Sequence, residues 1–207
     1  MNMAPGTGPN EIRVIPADWL HSVPVDRIFP VRQPLHVDLG CGKGRFLLAS
    51  AAAHPDVNYL GIERMLRRVR KVEGKIRRQG LQNARLLRME ARYAMTYLVP
   101  ASSVSVCYVF FPDPWPKKRH QDHRLFGDEF LAALDRTLTG DGVVHIATDH
   151  RSYYEDCVSL FHGDRRFEGA TPLTPGSEFQ TDFERYYIRH QDIGRCSYRK
   201  RQSVDQG

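Results

Sequence analysis

Five short apolar runs lie between residues 35 and 148, and each has the length of a buried strand. They are LHVDL, VNYLGIE, ARLLRME, SVSVCYVF and GVVHIAT. Each run is followed by a segment with helical apolar spacing, of which GRFLLASAAAH and EFLAALDRTL are the clearest. Strands that alternate with helices need crossover connections, so the pattern predicts an α/β fold. We expect a doubly wound, mostly parallel sheet with helices on both faces.

The periodic pattern is weaker at both ends of this region. Residues 1–34 are rich in Pro, Gly and Asn and carry no sustained period, so we expect an N-terminal extension that is in part disordered. After Thr148 the sequence predicts a helix at YYEDCVSLFH, a loop through TPLTPGSEFQ, a helix at TDFERYYIRH and a last strand at RCSYRKR. We therefore expect one domain over residues 35–203 and a tail at residues 204–207.

Composition and charge narrow the classes of partner. The chain has 207 residues and a formal net charge of +6, which favours a polyanionic partner because Lys and Arg that bind phosphates release counterions. Its four cysteines lie far apart without a C-x-x-C pair, which indicates neither a zinc site nor a disulfide framework. No apolar stretch is long enough to span a membrane, and the first residues lack the features of a signal peptide. We expect a cytoplasmic protein without a metal; its oligomeric state is left open.

An acidic residue stands at or just beyond the end of each predicted strand. These residues are Asp38, Glu63, Glu90, Asp113 and Asp149. Parallel strands end at the same edge of a sheet, and ligands bind in the crevice beyond those ends. The sequence therefore predicts a functional site with several negative charges at this edge, within a chain of positive net charge.

The first strand is followed by a glycine-rich turn, DLGCGKGRF. Gly40, Gly42 and Gly44 let a ligand approach the backbone closely, and we expect them to contact a cofactor. Arg45 stands where a dinucleotide fingerprint needs glycine or alanine. The nearby carboxylates would also repel a pyrophosphate, since two like charges 4 Å apart cost roughly 4 kcal/mol at an effective dielectric constant of 20. A cation such as S-adenosylmethionine fits better, with Glu63 where a ribose-binding carboxylate belongs.

The segments DLGCGKG, GIE, FFPDPWPKKRH, ATD and TDFE, in this order, resemble the bacterial tRNA (guanine-N7)-methyltransferases. The similarity runs from Leu35 to Phe183 and on towards the C-terminus, and PDPWPK followed by RH is its most specific part. The resemblance implies a Rossmann-like class I methyltransferase fold and S-adenosyl-L-methionine as methyl donor. It also implies tRNA as the partner, with N7 of the variable-loop guanine as the methyl acceptor.

The resemblance also implies roles for individual residues. Asp38, Glu63, Glu90 and Asp113 match cofactor contacts of the family, and Asp113 also matches its catalytic residue. Substrate-binding positions are matched by Lys117, Asp149, Thr181, Asp182, Phe183 and Glu184. We expect further RNA contacts from Lys118, Arg119 and Arg124. The chain departs from the family where Asp38 replaces a frequent Glu, where Glu90 replaces a frequent Asp, and in the less basic segment at residues 120–124.

The segment RMLRRVRKVEGKIRRQ combines a narrow apolar stripe with a basic arc. Met65, Val69, Val72 and Ile76 form the stripe at helical spacing. The basic arc on the other side consists of Arg64, Arg67, Arg68, Lys71, Lys75 and Arg78. Such an arc is either an ordinary solvated face or a phosphate-binding surface, and the sequence leaves both open.

Two other functions remain open at this point. A methyltransferase of the same fold could act on another base, RNA or small molecule, or the chain could be a noncatalytic RNA-binding module that keeps the fold. The role of the N-terminal arm, the set of accepted tRNAs and the way in which Asp113 acts, by orienting the base or by stabilising charge, are open as well.

Overall fold

The centre of the fold is an eight-stranded sheet. The structure is a computed structural model that describes residues 8, 11–115, 124–186 and 192–202, and all structural statements refer to these residues. The strands are β1 (Arg13–Val14), β2 (Leu35–Leu39), β3 (Asn58–Ile62), β4 (Ala84–Leu87), β5 (Val104–Phe110), β6 (Leu138–Thr148), β7 (Phe167–Ala170) and β8 (Gly194–Lys200).

The strand order is β1-β4-β3-β2-β5-β6-β8-β7. All pairings from β1 to β6 are parallel, whereas β8 runs antiparallel to both β6 and β7. The five predicted strands and the last strand are therefore confirmed, as is the mostly parallel sheet. The carboxyl ends of β2 to β6 meet at one edge, which we call the carboxyl edge.

Seven helical segments connect or flank the strands in the described part of the chain. They are α1 (Val25–Ile28), α2 (Arg45–Ala53), α3 (Leu66–Gln79), α4 (Ala91–Tyr93), α5 (Asp128–Thr137), α6 (Arg151–His162) and α7 (Asp182–Tyr186), and α4 continues as a π-helix over Ala94–Leu98. Helix α7 is the described part of the helix predicted at TDFERYYIRH, and residues 187–190 lie outside the described residues.

Two apolar cores lie on opposite faces of the sheet, as a doubly wound fold requires. Helices α2 and α3 cover one face with side chains that include Phe46, Leu47 and Val72, and helices α4 to α6 cover the other. The predicted stripe on α3 is confirmed for Val69, Val72 and Ile76, each 0% exposed. Met65 differs because it precedes the helix and is 47% exposed.

The segment before Leu35 packs against the core on the face that α4 to α6 cover. β1 pairs with β4 at the edge of the sheet, and Val14, Val23, Ile28 and Phe29 are buried. The buried Arg85 donates hydrogen bonds from Nε to the Ile28 carbonyl (2.7 Å) and from Nη1 to the Gln82 and Ala84 carbonyls. Residues 11–34 therefore add buried surface to the domain, while the division of the chain at residue 35 and the tail at 204–207 stay predictions.

Two further observations concern the whole described part of the chain. Cys41, Cys107, Cys157 and Cys196 are free thiols. None of the helices is both long and apolar enough to cross a membrane within the ranges that the structure describes.

Candidate active site

The glycine turn after β2 has a backbone that only glycine adopts readily. Gly40, Gly42 and Gly44 have φ angles of +73°, +57° and +76°. A Cβ atom on Gly44 would lie 2.6 Å from Cγ1 of Val72 in α3, so this glycine also permits close packing. The amides of Gly40 and Cys41 donate to the Ile62 carbonyl at 2.8 and 3.1 Å. The turn is thus closed over the carboxyl end of β3.

Glu63, directly after β3, connects the glycine turn to α3. Its side chain is buried, and its carboxylate accepts hydrogen bonds from the amides of Gly42 (3.1 Å) and Met65 (2.8 Å). Arg68 adds an ion pair at 3.3 Å. The Glu63 carboxylate is therefore held at the rim of the turn, next to where a bound cofactor would approach the glycine backbone.

Asp38 is the most deeply buried carboxylate of the site. It is 4% exposed, and its Oδ2 atom has no hydrogen-bond partner among the described residues. Burial, and then the charge of Glu63, raise the pKa of Asp38 from 3.8 to about 7. A buried oxygen without a partner is costly, and a ligand that brings a positive charge or a hydrogen-bond donor would satisfy it.

Glu90 begins the helical segment after β4. Its carboxylate accepts from the backbone amides of Arg92 (2.9 Å) and Tyr93 (2.8 Å) and thereby caps α4. The side chain is exposed at the carboxyl edge. A helix cap alone explains its position, so its contact with a cofactor stays a prediction.

The loop after β5 carries Asp113 in an exposed position. Phe111 donates its amide to the Ala147 carbonyl at 2.7 Å, which ties the start of the loop to the end of β6. Phe111 and Trp115 have positive φ angles of +53° and +40°, so the loop bends sharply on both sides of Asp113. Asp149, directly after β6, is half-buried. The predicted substrate and RNA contacts Lys117, Lys118 and Arg119 lie outside the described residues.

Arg124 lies in an environment different from the one an RNA contact requires. Its side chain is 8% exposed and forms an ion pair with Asp156. Its Nε donates to the Pro114 carbonyl at 2.8 Å, and its guanidinium lies 4.9 Å from the centre of the Tyr153 ring. The sequence predicts an RNA contact at Arg124, but tertiary packing turns its side chain towards α6. Arg124 thus holds the Asp113 loop rather than presenting a charge to solvent.

The TDFE segment at the start of α7 reaches the same edge. Thr181 Oγ1 accepts from the amide of Glu184 at 3.0 Å, as in an N-terminal cap. The ring of Phe183 lies 5.2 Å from that of Phe111. Thr181 and Asp182 are half-buried, and Phe183 is 40% exposed. The contact between the two phenylalanines joins the Asp113 loop to the TDFE segment.

Glu184 forms a buried ion pair with Arg195 of β8, and the two side chains are 5% and 12% exposed. Arg195 faces Ala147 in the β6–β8 register, which brings the pair to the carboxyl edge. The second oxygen of Glu184, Oε2, and the second terminal nitrogen of Arg195, Nη1, are buried without partners among the described residues. Arg195 is not predicted from the sequence, because only the antiparallel register reveals its proximity to Glu184.

The carboxyl edge therefore carries acidic side chains on β2 and α7 and on the segments that follow β3, β4, β5 and β6. In the described ranges there is no group of three or more His, Cys, Asp or Glu side chains arranged to hold a metal ion. The arrangement fits a cationic organic ligand between the glycine turn and the Asp113 loop.

Comparison with known proteins places the chain in a family. The family model described as "Putative methyltransferase" matches residues 32–192. The tRNA (guanine-N(7)-)-methyltransferase of Alkalilimnicola ehrlichii is 34% identical over 184 residues, which are 86% of this chain and 77% of that protein. The chain belongs to the tRNA (guanine-N7-)-methyltransferase family. The resemblance found in the sequence is thereby confirmed.

Other members of this family match shorter parts of the chain. The tRNA (guanine-N(7)-)-methyltransferase of Geobacillus kaustophilus is 43% identical over 134 residues, 64% of this chain and 61% of that protein. That of Thermotoga maritima is 34% identical over 159 residues, 77% of this chain and 49% of that protein. The matches thus cover about half and about three fifths of the length of these two relatives.

Two solved structures of methyltransferases share this fold. The 16S rRNA methyltransferase KamB has a TM-score of 0.63 at 13% identity, over 82% of this chain and 88% of that one. The aminoglycoside resistance methyltransferase NpmB1 has a TM-score of 0.60 at 20% identity, over 83% and 89%. The predicted Rossmann-like class I methyltransferase fold is confirmed.

Proposed function

We propose that this chain transfers the methyl group of S-adenosyl-L-methionine to N7 of a guanine in the variable loop of tRNA. The observation that carries the proposal is the contact between Phe111 and Phe183 at 5.2 Å. It joins the FFPDPWPKKRH and TDFE segments, both part of the family resemblance, at the edge where Asp38 and Glu63 are buried. The names of the relatives agree with this activity. A tRNA substrate would also favour a cytoplasmic location.

The residues of the carboxyl edge fit the proposed cofactor. S-adenosylmethionine supplies a methyl group on a positively charged sulfur, together with an ammonium group and a ribose diol. Gly40, Gly42 and Gly44 would allow close approach of the ligand to the turn, and Asp38 would meet its positive charge through the unpartnered Oδ2. Glu63 would accept from the ribose hydroxyls. Glu90 and Asp113 complete the proposed cofactor contacts.

Methyl transfer to guanine N7 requires the protein chiefly to position the two reactants. Guanine N7 carries an exposed lone pair and no proton at neutral pH, so no base is needed to create the nucleophile. As the nitrogen–carbon bond forms and the carbon–sulfur bond breaks, sulfur keeps the bonding electrons and the base gains positive charge. Asp113 would hold the base through its Watson–Crick edge or stabilise this developing charge. The bends at Phe111 and Trp115 limit the freedom of the loop that carries Asp113.

The tRNA would be held from both sides of the target base. Asp149, Thr181, Asp182, Phe183 and Glu184 are the proposed contacts around the guanine. Lys117, Lys118 and Arg119 are the proposed phosphate contacts. A guanine whose N7 lies in a helix or a tertiary contact must be made accessible before transfer, so we expect recognition of the folded shape of tRNA.

Methylation of unmodified tRNA tests the proposal directly. The chain is incubated with S-adenosylmethionine and tRNA, N7-methylguanosine is measured by mass spectrometry, and its position is mapped by alkaline cleavage. We expect modification in the variable loop and a loss of about 100-fold in rate for Asp113→Ala. Asp141→Ala, on an exposed part of β6, is the matched control and should keep the activity.

Other outcomes of the same experiment separate the remaining functions. Methylation at another base would favour a different substrate on the same fold. Binding of tRNA without methyl transfer, and without affinity for S-adenosylhomocysteine in calorimetry, would favour a noncatalytic RNA-binding module. Either result would refute the proposed activity.

A further inference from the structure

Helix α3 carries the entire net charge of the chain. Its sequence, LRRVRKVEGKIRRQ, holds seven of the 30 Lys and Arg residues but one of the 24 Asp and Glu residues. The rest of the chain therefore has 23 residues of each sign and no net charge. The positive charge of this protein is a property of one helix, whereas a chain made basic for general solubility would distribute it.

Two of the seven cations are engaged in the site, and others face solvent. Arg68 pairs with Glu63, and Lys75 donates to the Lys43 carbonyl at 2.8 Å. Arg67, Arg70, Lys71 and Arg78 are exposed and form no ion pair with any residue in the described ranges. We call these four side chains the α3 cationic face. Arg77 lies beside it and pairs with Glu73 at 3.3 Å.

The α3 cationic face is unfavourable for the helix itself. Arg67 and Lys71 are like charges four residues apart, and Arg67 and Arg70 are three apart, both of which destabilise a helix. The first turn contains no acidic residue, so its cations also oppose the positive end of the helix dipole. Local helix stability therefore does not account for these residues, whereas a bound polyanion would relieve all of these repulsions at once.

The position of α3 places this face beside the proposed cofactor site. The helix begins directly after Glu63, and Val72 packs under Gly44 of the glycine turn. Leu66, Arg67, Arg70 and Lys71 line a surface depression at its N-terminal end, nearest to the carboxyl edge. From Arg67 to Arg78 the face extends for about 16 Å along the helix, long enough to follow several phosphates of one RNA strand.

We propose that the α3 cationic face docks the phosphate backbone of the tRNA substrate, away from the target base and beside the cofactor site. The inference rests on the proposed function for its partner. These contacts act on tRNA affinity and its salt dependence, because phosphate contacts position a nucleic acid and are lost as salt rises. They do not touch the reacting atoms, so the turnover rate of bound tRNA is independent of them.

The test reverses three charges of the face in the triple variant Arg67→Glu, Arg70→Glu, Lys71→Glu. A control triple variant, Arg32→Glu, Arg165→Glu, Arg199→Glu, reverses three exposed charges at the end of the sheet opposite the carboxyl edge. Starting from +6, each variant loses two charges at each of three positions and has a formal net charge of zero. Any effect of net charge alone is therefore the same in both.

Three quantities are measured for the wild type and both variants. They are tRNA binding across a series of salt concentrations, KM and kcat for methylation of tRNA, and the affinity for S-adenosylhomocysteine. In the α3 variant we expect tRNA affinity to fall at least about tenfold and the slope of log K against log salt to decrease by about 2 to 3. We expect kcat and the S-adenosylhomocysteine affinity to stay within about twofold of the wild type, and the control to bind tRNA like the wild type.

The remaining results overturn the inference or separate it from the proposed function. Equal losses in both triple variants would assign the effect to net charge, and an unchanged salt slope in the α3 variant would remove the docking role. A fall in kcat at constant KM would point to an effect on the site itself. If the α3 variant does not fold, the glutamine substitutions at the same three positions take its place. If the wild type binds but does not methylate tRNA and the α3 variant loses that binding, the activity is wrong and the docking surface stands.

Discussion

Arg124 donates a hydrogen bond of 2.8 Å from Nε to the carbonyl oxygen of Pro114, the residue that follows Asp113. The same guanidinium pairs with Asp156 and lies over the ring of Tyr153, so it connects the loop to α6. The carbonyl of Arg124 in turn accepts a hydrogen bond from Arg92, two residues after Glu90. One buried arginine therefore links the proposed catalytic loop to a neighbouring helix and to the segment after β4.

Replacement of Arg124 by alanine should reduce kcat more than it reduces cofactor affinity. Without the Pro114 contact the loop can shift, and a displacement of about 1 Å at the reacting centre can cost on the order of 100-fold in rate. The loss of the hydrogen bond to Pro114 and of the packing against the Tyr153 ring should also lower the free energy of unfolding by about 2 kcal/mol. Kinetics with tRNA and calorimetry with S-adenosylhomocysteine measure the two effects separately.

The control for Arg124 removes its ion pair but leaves the hydrogen bond to Pro114. Asp156→Ala does this. It leaves the buried Arg124 guanidinium without its ion pair, so we expect a loss of about 1 to 3 kcal/mol of unfolding free energy. We expect little change in kcat, because the hydrogen bond to Pro114 remains. The positioning role would be contradicted by a wild-type kcat in Arg124→Ala. It would also be contradicted by a fall in kcat in Asp156→Ala as large as that in Arg124→Ala.

The buried pair of Glu184 and Arg195 should be more sensitive to single than to double substitution. Arg195→Met leaves the Glu184 carboxylate buried without a partner and should cost about 3 kcal/mol of unfolding free energy. The double variant Arg195→Met, Glu184→Gln should recover part of this loss, because no uncompensated charge remains. Urea unfolding of the wild type, Arg195→Met, Glu184→Gln and the double variant gives the coupling energy, and additive single effects would show that the pair does not act as a unit.

The fold and the carboxyl edge could be predicted because their signals are local. Strands buried on both faces are continuous apolar runs, and an acidic residue near the end of each parallel strand reaches the shared edge whatever the details of packing. The glycine turn is equally local, since its left-handed backbone angles are a property of Gly40, Gly42 and Gly44 themselves.

The parts that escaped prediction depend on partners that are distant in the chain. Arg195 meets Glu184 only through the antiparallel register of β6 and β8. Arg124 has the sequence context of a phosphate ligand, but Asp156 and Tyr153 on α6 determine its orientation. β1 was missed because Arg13 and Val14 are too few residues to show a period, and its pairing with β4 fixes it instead.

Stability without cofactor should fall as pH rises towards 7, because of Asp38. Its pKa is raised to about 7 in the folded state, against 3.8 in an unfolded chain, so the folded state binds the extra proton between these values. The contribution of Asp38 to stability is therefore complete below pH 3.8 and is lost as pH rises through 7. Asp38→Asn should be more stable than the wild type at pH 8 by about 1 to 3 kcal/mol, as measured by urea unfolding.

The comparison with the asparagine variant is needed at each pH. Burial lowers the pKa of both His36 and His145 to about 4, so these residues reduce stability as pH falls below 6.5 and oppose the effect of Asp38. Their contribution is common to both proteins and cancels in the difference.

The ionisation of Asp38 should also affect ligand binding. We expect the affinity for S-adenosylhomocysteine, which keeps the ammonium group, to rise with pH through 7 in the wild type and to stay constant in Asp38→Asn. A difference between the two proteins that does not depend on pH would refute this account of Asp38.

Gly44→Ala should destabilise the chain more than Gly80→Ala, although both glycines have left-handed backbones. Their φ angles are +76° and +66°, so the backbone strain of an alanine is similar at both positions, about 1 kcal/mol. Around Gly80 a Cβ atom would meet nothing within 4 Å, whereas at Gly44 it would lie 2.6 Å from Cγ1 of Val72. Moving α3 away from the turn should add about 1 to 3 kcal/mol at Gly44 and weaken cofactor binding, because Glu63 lies between the two elements. Urea unfolding and calorimetry with S-adenosylhomocysteine measure both effects.

A Val72→Ala background tests the cause of the difference between the two glycines. There the extra loss of stability at Gly44 should shrink, since the clashing methyl groups are gone. An unchanged difference between the two alanine variants would mean that the contact with Val72 does not cause it.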